Sequence, residues 1–135
     1  MKDHILSLIR PEAKNIFGLH DPIGLRYLFQ LRVGLSPLRY HKNRHNFHDT
    51  PSNICLCKNG IEDTSHFLFS CPFYLTKRTS LFSGVNEILR KKNLNYLENC
   101  LELYLYGNHS LNLTDNKEIL FLTIKFIKES GRFAT

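Results

Sequence analysis

One short stretch constrains this chain more than any other. From Cys55 to Cys71 it reads Cys-Leu-Cys-Lys-Asn-Gly-Ile-Glu-Asp-Thr-Ser-His-Phe-Leu-Phe-Ser-Cys. Reduced to the side chains that bind metals, the pattern is C-x-C-x8-H-x4-C, formed by Cys55, Cys57, His66 and Cys71. Three thiolates and one imidazole are the soft donor set of a tetrahedral zinc ion. Four protein donors leave no open coordination position, so the expected cofactor is one structural Zn2+ rather than a catalytic one. The plain alternative is three buried thiols and a core histidine.

The local chemistry around these ligands suits a metal. Lys58-Asn59-Gly60 is a strong turn signal and places Cys55 and Cys57 on a short β-knuckle or hairpin. Asp63 or Thr64 caps a short helix that ends near Ser70. His66 and Cys71 are five residues apart, about 140° around an ideal α-helix, so they cannot share one face of an unbroken helix. Pro72 biases Cys71 out of helical geometry and lets that thiol turn back. Glu62 or Asp63 could orient His66 from behind, although solvated first-turn carboxylates are the plainer reading. Cys100 reads as a small buried hydrophobe inside a helix.

The remainder is helical in pattern. Asp21 is the expected N-cap and Pro22 the first residue of a helix over roughly Ile23–Leu35. It turns Leu25, Leu28, Phe29 and Leu31 inward, and Arg26 and Arg32 mainly outward. Ser36-Pro37 stops it. A helix over about Phe73–Lys92 carries the stripe Leu81, Val85, Ile88 and Leu89. Another spans 95–106. Leu111–Thr114 is a loop, and Asp115 caps a last helix, 116–130, with Leu120, Phe121 and Ile124 widening its apolar face. A shorter helix is expected around Ile5–Ile9, ended by Pro11. With 135 residues, 42% of them hydrophobic, the chain can bury a core. The expected fold is mainly α: a small helical bundle with a short β-knuckle holding one zinc. It is one domain, 1–135, with a basic helical and loop part (1–52), a zinc knuckle (53–72) and a helical part (73–135).

Charge points to a polyanionic partner. The formal net charge is +6, and residues 1–58 hold nine Lys/Arg against four Asp/Glu, while 59–135 hold nine against eight. The basic segment Arg39–His48 interleaves cations with rings. Arg39, Lys42 and Arg44 suit phosphates, and Tyr40 and Phe47 suit stacking. His45 and Arg32 extend the same expected nucleic-acid surface. Competing readings are a second metal site on His41, His45 and His48, and a solvated loop anchored by its aromatics. Four cysteines are too few for a disulfide scaffold. Met1–Pro11 does not read as a secretory signal, and no stretch has the length of a membrane span. The expected location is therefore intracellular, cytoplasm or nucleus, with no membrane partner. No phosphate-binding glycine loop or recognisable nucleophile setting occurs, so no catalytic residue is expected.

Two blocks carry a family resemblance. One is L-R-x-G-x-S-x-L, at Leu31, Arg32, Gly34, Ser36 and Leu38. The other is I-E-D-T-x-H-F-L-x-x-C-P, running from Ile61 to Pro72. Together, over about residues 9–135, the chain resembles the C-terminal cysteine/histidine region of a non-LTR (LINE-type, jockey-like) retrotransposon reverse transcriptase. The resemblance implies a fragment of a longer polyprotein that holds element RNA or target DNA near the polymerase, with the upstream reverse transcriptase domain as a partner. The parent would be an RNA-directed DNA polymerase, yet the paired-aspartate motif of the polymerase palm is absent, so this chain is not expected to be an enzyme. The alternatives are a module that only docks on the upstream polymerase, a nuclease remnant using His41 or His45, and a relic with no selected function.

Overall fold

The computed structural model describes residues 21–134. Among the described residues five α-helices follow one another: α1 (Pro22–Val33), α2 (Arg39–Arg44), α3 (Leu75–Lys91), α4 (Leu101–Tyr106) and α5 (Leu113–Ser130). Between α2 and α3 lie a π-helical turn (His66–Ser70) and a 3-10 turn (Pro72–Tyr74). A second 3-10 turn (Asn95–Leu97) precedes α4. The described residues are mainly helical and contain no strand. The short helix expected around Ile5–Ile9 lies outside the described residues.

Helix α5 is the centre of the bundle and packs on α1, α3 and α4. Its Ile119, Leu120, Ile124, Phe126 and Ile127 are all buried, which is the pattern of a helix covered on most of its circumference. Phe121 departs from the expected stripe and is about half exposed. Helix α3 contributes the expected Leu81, Val85, Ile88 and Leu89. Phe67 joins this core from the π-turn, with its ring against those of Tyr74, Phe126 and Phe133 at centroid distances of 5.2–5.5 Å. None of the helices among the described residues is long and apolar enough to cross a membrane.

The ends of α1 follow local chemistry. Asp21 Oδ1 accepts from the Gly24 N–H at 2.9 Å, and Pro22 opens the helix, as the sequence predicts. The stop comes earlier than Ser36-Pro37: Gly34 adopts the left-handed conformation (φ 74°) that residues with a Cβ resist. Asp21 Oδ2 also meets Lys128 Nζ at 3.1 Å, tying the start of α1 to the end of α5.

Gly24 is where α1 meets α5. A Cβ there would run into the Ile124 side chain and the Asp21 carboxylate. Gly24→Ala is expected to destabilise by about 1–3 kcal/mol, since overpacking outweighs the ~1 kcal/mol that alanine gains in helix propensity. A urea titration measures this, and an unchanged or higher midpoint would show that α1 can shift freely.

Two other expected elements differ. The helix over 95–106 is broken at Cys100, which is the exposed N-cap of α4 rather than a buried residue. The last helix begins at Leu113, not 116, because Asn112 rather than Asp115 is its cap: Asn112 Oδ1 accepts from the Asp115 N–H at 2.8 Å. Leu113 and Thr114 are thus helical instead of loop.

Candidate metal centre

The first ligand pair sits on a tight loop. The Cys55 N–H donates to the Gly60 carbonyl at 2.8 Å, and the Lys58 N–H to the Cys55 carbonyl at 2.9 Å. Lys58 (φ 68°) and Gly60 (φ 140°) take the positive φ values that so short a reversal needs. One isolated antiparallel bridge, Ile54 to Ile61, closes the loop, so the expected β-hairpin is reduced to a single bridge and forms no strand. Two residues are too few to propagate a ladder.

The second pair sits on the π-turn. Asp63 Oδ1 accepts from the His66 N–H at 2.8 Å and caps the turn, as expected. The Cys71 N–H donates to the His66 carbonyl at 2.7 Å. That i→i+5 bond stacks residue 71 near residue 66, which an α-turn cannot do. Widening the helix by one residue therefore solves the phase problem of a five-residue spacing. Cys71 itself is extended (φ −63°, ψ 123°), as Pro72 requires.

These two local structures bring Cys55, Cys57, His66 and Cys71 together, with all four donor atoms within 4.8 Å of one another. A tetrahedral ion with metal–sulfur bonds of about 2.3 Å and metal–nitrogen bonds of about 2.0–2.1 Å places two sulfurs ~3.8 Å apart, and a sulfur and a nitrogen ~3.6 Å apart. Cys55 Sγ and Cys71 Sγ stand 3.8 Å apart, and Cys57 Sγ and His66 Nε2 stand 3.3 Å apart. The donors thus lie close enough to hold a metal ion, and both their spacing and their chemistry fit zinc. Without a cation, burial pushes the Cys55 thiol up to about 12 and raises that of Cys71. At Cys57 desolvation acts the same way, but the Asn59 N–H and the neighbouring thiols hold it below the ordinary value.

Three charged residues support the centre from a distance. Arg78 on α3 is buried and donates from Nε to the Leu68 carbonyl at 2.8 Å and from Nη2 to the Phe67 carbonyl at 3.0 Å. It satisfies carbonyls of the π-turn that would otherwise be orphaned. Glu62 is neither solvated nor behind His66. It is buried and holds Arg132 through two bonds of 2.8 Å, while its Oε1 also accepts from the Arg39 N–H at 2.7 Å. Arg132 adds a bond to the Pro37 carbonyl at 2.8 Å. The Glu62 carboxylate is the main cause of a raised Arg132 pKa. Arg78 was visible in the sequence only as a cation three residues before Leu81 on the apolar stripe. Arg132 gave no local signal.

The basic segment is divided by α2. His41 faces inward and meets Ser36 Oγ at 2.6 Å, and burial lowers its pKa. His45 and His48 are exposed, and among the described residues only the Cys55 group gathers three or more potential ligands. His41, His45 and His48 are thus not brought together as a ligand set. Tyr40 and Arg44 pair on one face, with the guanidinium 6.0 Å from the ring centroid. Lys42 and Phe47 pair on another, at 5.4 Å. Arg39 is partly buried against Glu62. Arg32 is not outward: it donates from Nε to the Leu105 carbonyl at 2.6 Å and lies over the rings of Phe29 and Tyr106. Burial pulls its pKa down to about 10. No family profile, no curated protein and no solved structure matches this chain.

Proposed function

We propose that this chain is a zinc-stabilised, non-catalytic nucleic-acid-binding module, corresponding to the C-terminal cysteine/histidine region of a non-LTR retrotransposon reverse transcriptase. In that role it positions element RNA or target DNA beside the polymerase, in the cytoplasm or nucleus. The observation that carries the reading is the donor cluster. The Ile61–Pro72 block is one of the two that carry the resemblance, and its His66 and Cys71 meet Cys55 and Cys57 within 4.8 Å. Zinc at this centre would supply no chemistry beyond crosslinking the Cys55–Gly60 loop to the π-turn and Cys71. The concentration of positive charge in residues 1–58 supplies the attraction for a polyanion.

The full chain, expressed with zinc, is expected to carry one zinc per molecule by native mass spectrometry. It is expected to bind single-stranded RNA or DNA with an affinity that falls steeply with salt. Replacing Arg39, Lys42 and Arg44 together by glutamine should lower the slope of log K against log salt, by ~0.7 for each of them that contacts a phosphate on a single strand. A metal-free chain, or binding that ignores both salt and these substitutions, would overturn the proposal.

A second reading is favoured by one feature. Ile54, Leu56, Ile61, Phe73 and Leu75 are exposed beside the ligands in sequence, and an apolar rim of this kind suits docking on a polymerase domain. Under that reading the isolated chain binds an upstream polymerase fragment and has no measurable affinity for nucleic acid.

A further inference from the structure

We infer that the groove between α1 and α2 seats an unpaired base of single-stranded nucleic acid, with Phe47 as its stacking platform and Arg26 and Lys42 as its phosphate contacts. This rests on the nucleic-acid reading above and assigns it a place. The groove is open and about 540 Å³ in volume, and is lined by Arg26, Tyr27, Gln30, Leu35, Lys42 and Phe47, with the buried Phe133 among its walls. That volume lies in the range of about 300–1,000 Å³ typical of small-ligand sites.

The chain builds this groove deliberately in a local sense. Asn46 takes a left-handed conformation (φ 59°), and the Phe47 N–H donates back to the Lys42 carbonyl at 3.0 Å. The reversal brings the Lys42 ammonium over one face of the Phe47 ring, at 5.4 Å from its centroid, and leaves the residue 53% exposed. An exposed aromatic ring with a cation over one face keeps its other face for stacking. Arg26 stands on the facing helix, exposed and 5.8 Å from the Tyr27 ring centroid. No acidic residue lines the groove. Asp49, which meets Lys42 Nζ at 2.7 Å, is itself 67% exposed, so salt and solvent weaken its hold.

The ligand chemistry follows from this combination. Leu35, Tyr27 and Phe47 want a flat apolar face, and Arg26 and Lys42 want an anion beside it. The Gln30 amide can both donate to and accept from a base edge. A nucleotide offers all three, and an acidic peptide offers only the charge. In a duplex the faces of the bases are already stacked on one another, so only an unpaired base can enter.

The test uses the zinc-loaded full chain and fluorescence anisotropy with a labelled oligo-uridine strand, a duplex, and an abasic strand of equal length. The intact strand is expected to bind more tightly than either of the others. Phe47→Ala should weaken it by about 5- to 150-fold, and Phe47→Tyr should retain binding. Arg26→Gln should lower the salt slope by about 0.7, whereas removing Arg90 and Lys91 at the far end of α3 should not. Since Phe47 and Arg26 are exposed, circular dichroism melts of these variants should match the parent. Equal binding of the abasic strand, full competition by polyglutamate, or Phe47→Ala binding like the parent overturns the groove assignment while leaving nucleic-acid binding in place. Loss through Tyr40→Ala and Arg44→Gln alone would move the site to the other face of α2. No binding to any strand would sink both the groove and the function it rests on.

Discussion

Stripping the metal with a chelator, or replacing Cys71 by serine, is expected to collapse the cooperative unfolding of this protein. A structural zinc contributes about 10–16 kcal/mol of apparent free energy in small zinc domains, against total stabilities of roughly 5–15 kcal/mol for whole domains. The loop that carries Cys55 and Cys57 has little else to order it: one isolated bridge and a tight turn. Its loss would spread, because Phe67 and Leu68 of the π-turn are core residues with no exposed surface. The expected result is a broad, early thermal transition by circular dichroism in reductant, reversed by zinc. Cobalt should give the visible absorption of a tetrahedral thiolate site. Uptake of the cation should release protons and weaken as pH falls, since it binds thiolates and the Cys55 thiol sits at about 12 without it. Cys100→Ser is the control and should melt no lower than the parent, because Cys100 is exposed, outside the cluster and at an N-cap where serine is favoured. Identical melts with and without chelator would remove the metal from the account of this fold.

Glu62→Ala should be the most damaging substitution outside the ligands, at about 3–5 kcal/mol. Glu62 is 4% exposed and is the common acceptor for the Arg132 guanidinium and the Arg39 N–H. Its removal leaves a partly buried cation with only the Pro37 carbonyl, and strands the first N–H of α2. Three segments then lose their common tie: the metal loop, α2 and the chain end after α5. Arg132→Met tests the other side of the pair and should cost less than Glu62→Ala. It removes the cation but leaves Glu62 its bond from Arg39, and it keeps apolar bulk near Phe133. Chemical denaturation of both variants and of the double mutant measures the coupling. If the single losses simply add, the ion pair does not hold these segments together.

Much of the framework was legible in the chain itself. Asp21-Pro22 marks a helix start through a bond that spans three residues, and the stripe from Leu81 to Leu89 is a property of one helix. The four metal donors were legible for a similar reason: ligand type and short spacing are local. The means of bringing them together was only half legible. The Pro72 constraint on Cys71 could be read from its position, but the π-turn that phases His66 with Cys71 could not, because it depends on Phe67 and Leu68 being drawn into the core. Cys100 and Phe121 were misread since apolar character alone does not say which face a neighbour will cover.

The charged residues show where the boundary lies. Sequence by itself determined that Cys55, Cys57, His66 and Cys71 form one donor set, and that the positive charge gathers in the first half. Only the tertiary structure decided what Glu62, Arg32, Arg78 and Arg132 do. Each reads locally as a solvated surface group, yet each bonds to a partner 10 to 73 positions away. The desolvation of a charge is repaid only by a partner that the fold delivers, and no local pattern encodes that delivery. The division of Arg39–His48 by α2 has the same origin. Helical spacing could sort its side chains into faces, but only the fold decided that Lys42 and Phe47 border a groove with α1 residues while Tyr40 and Arg44 do not.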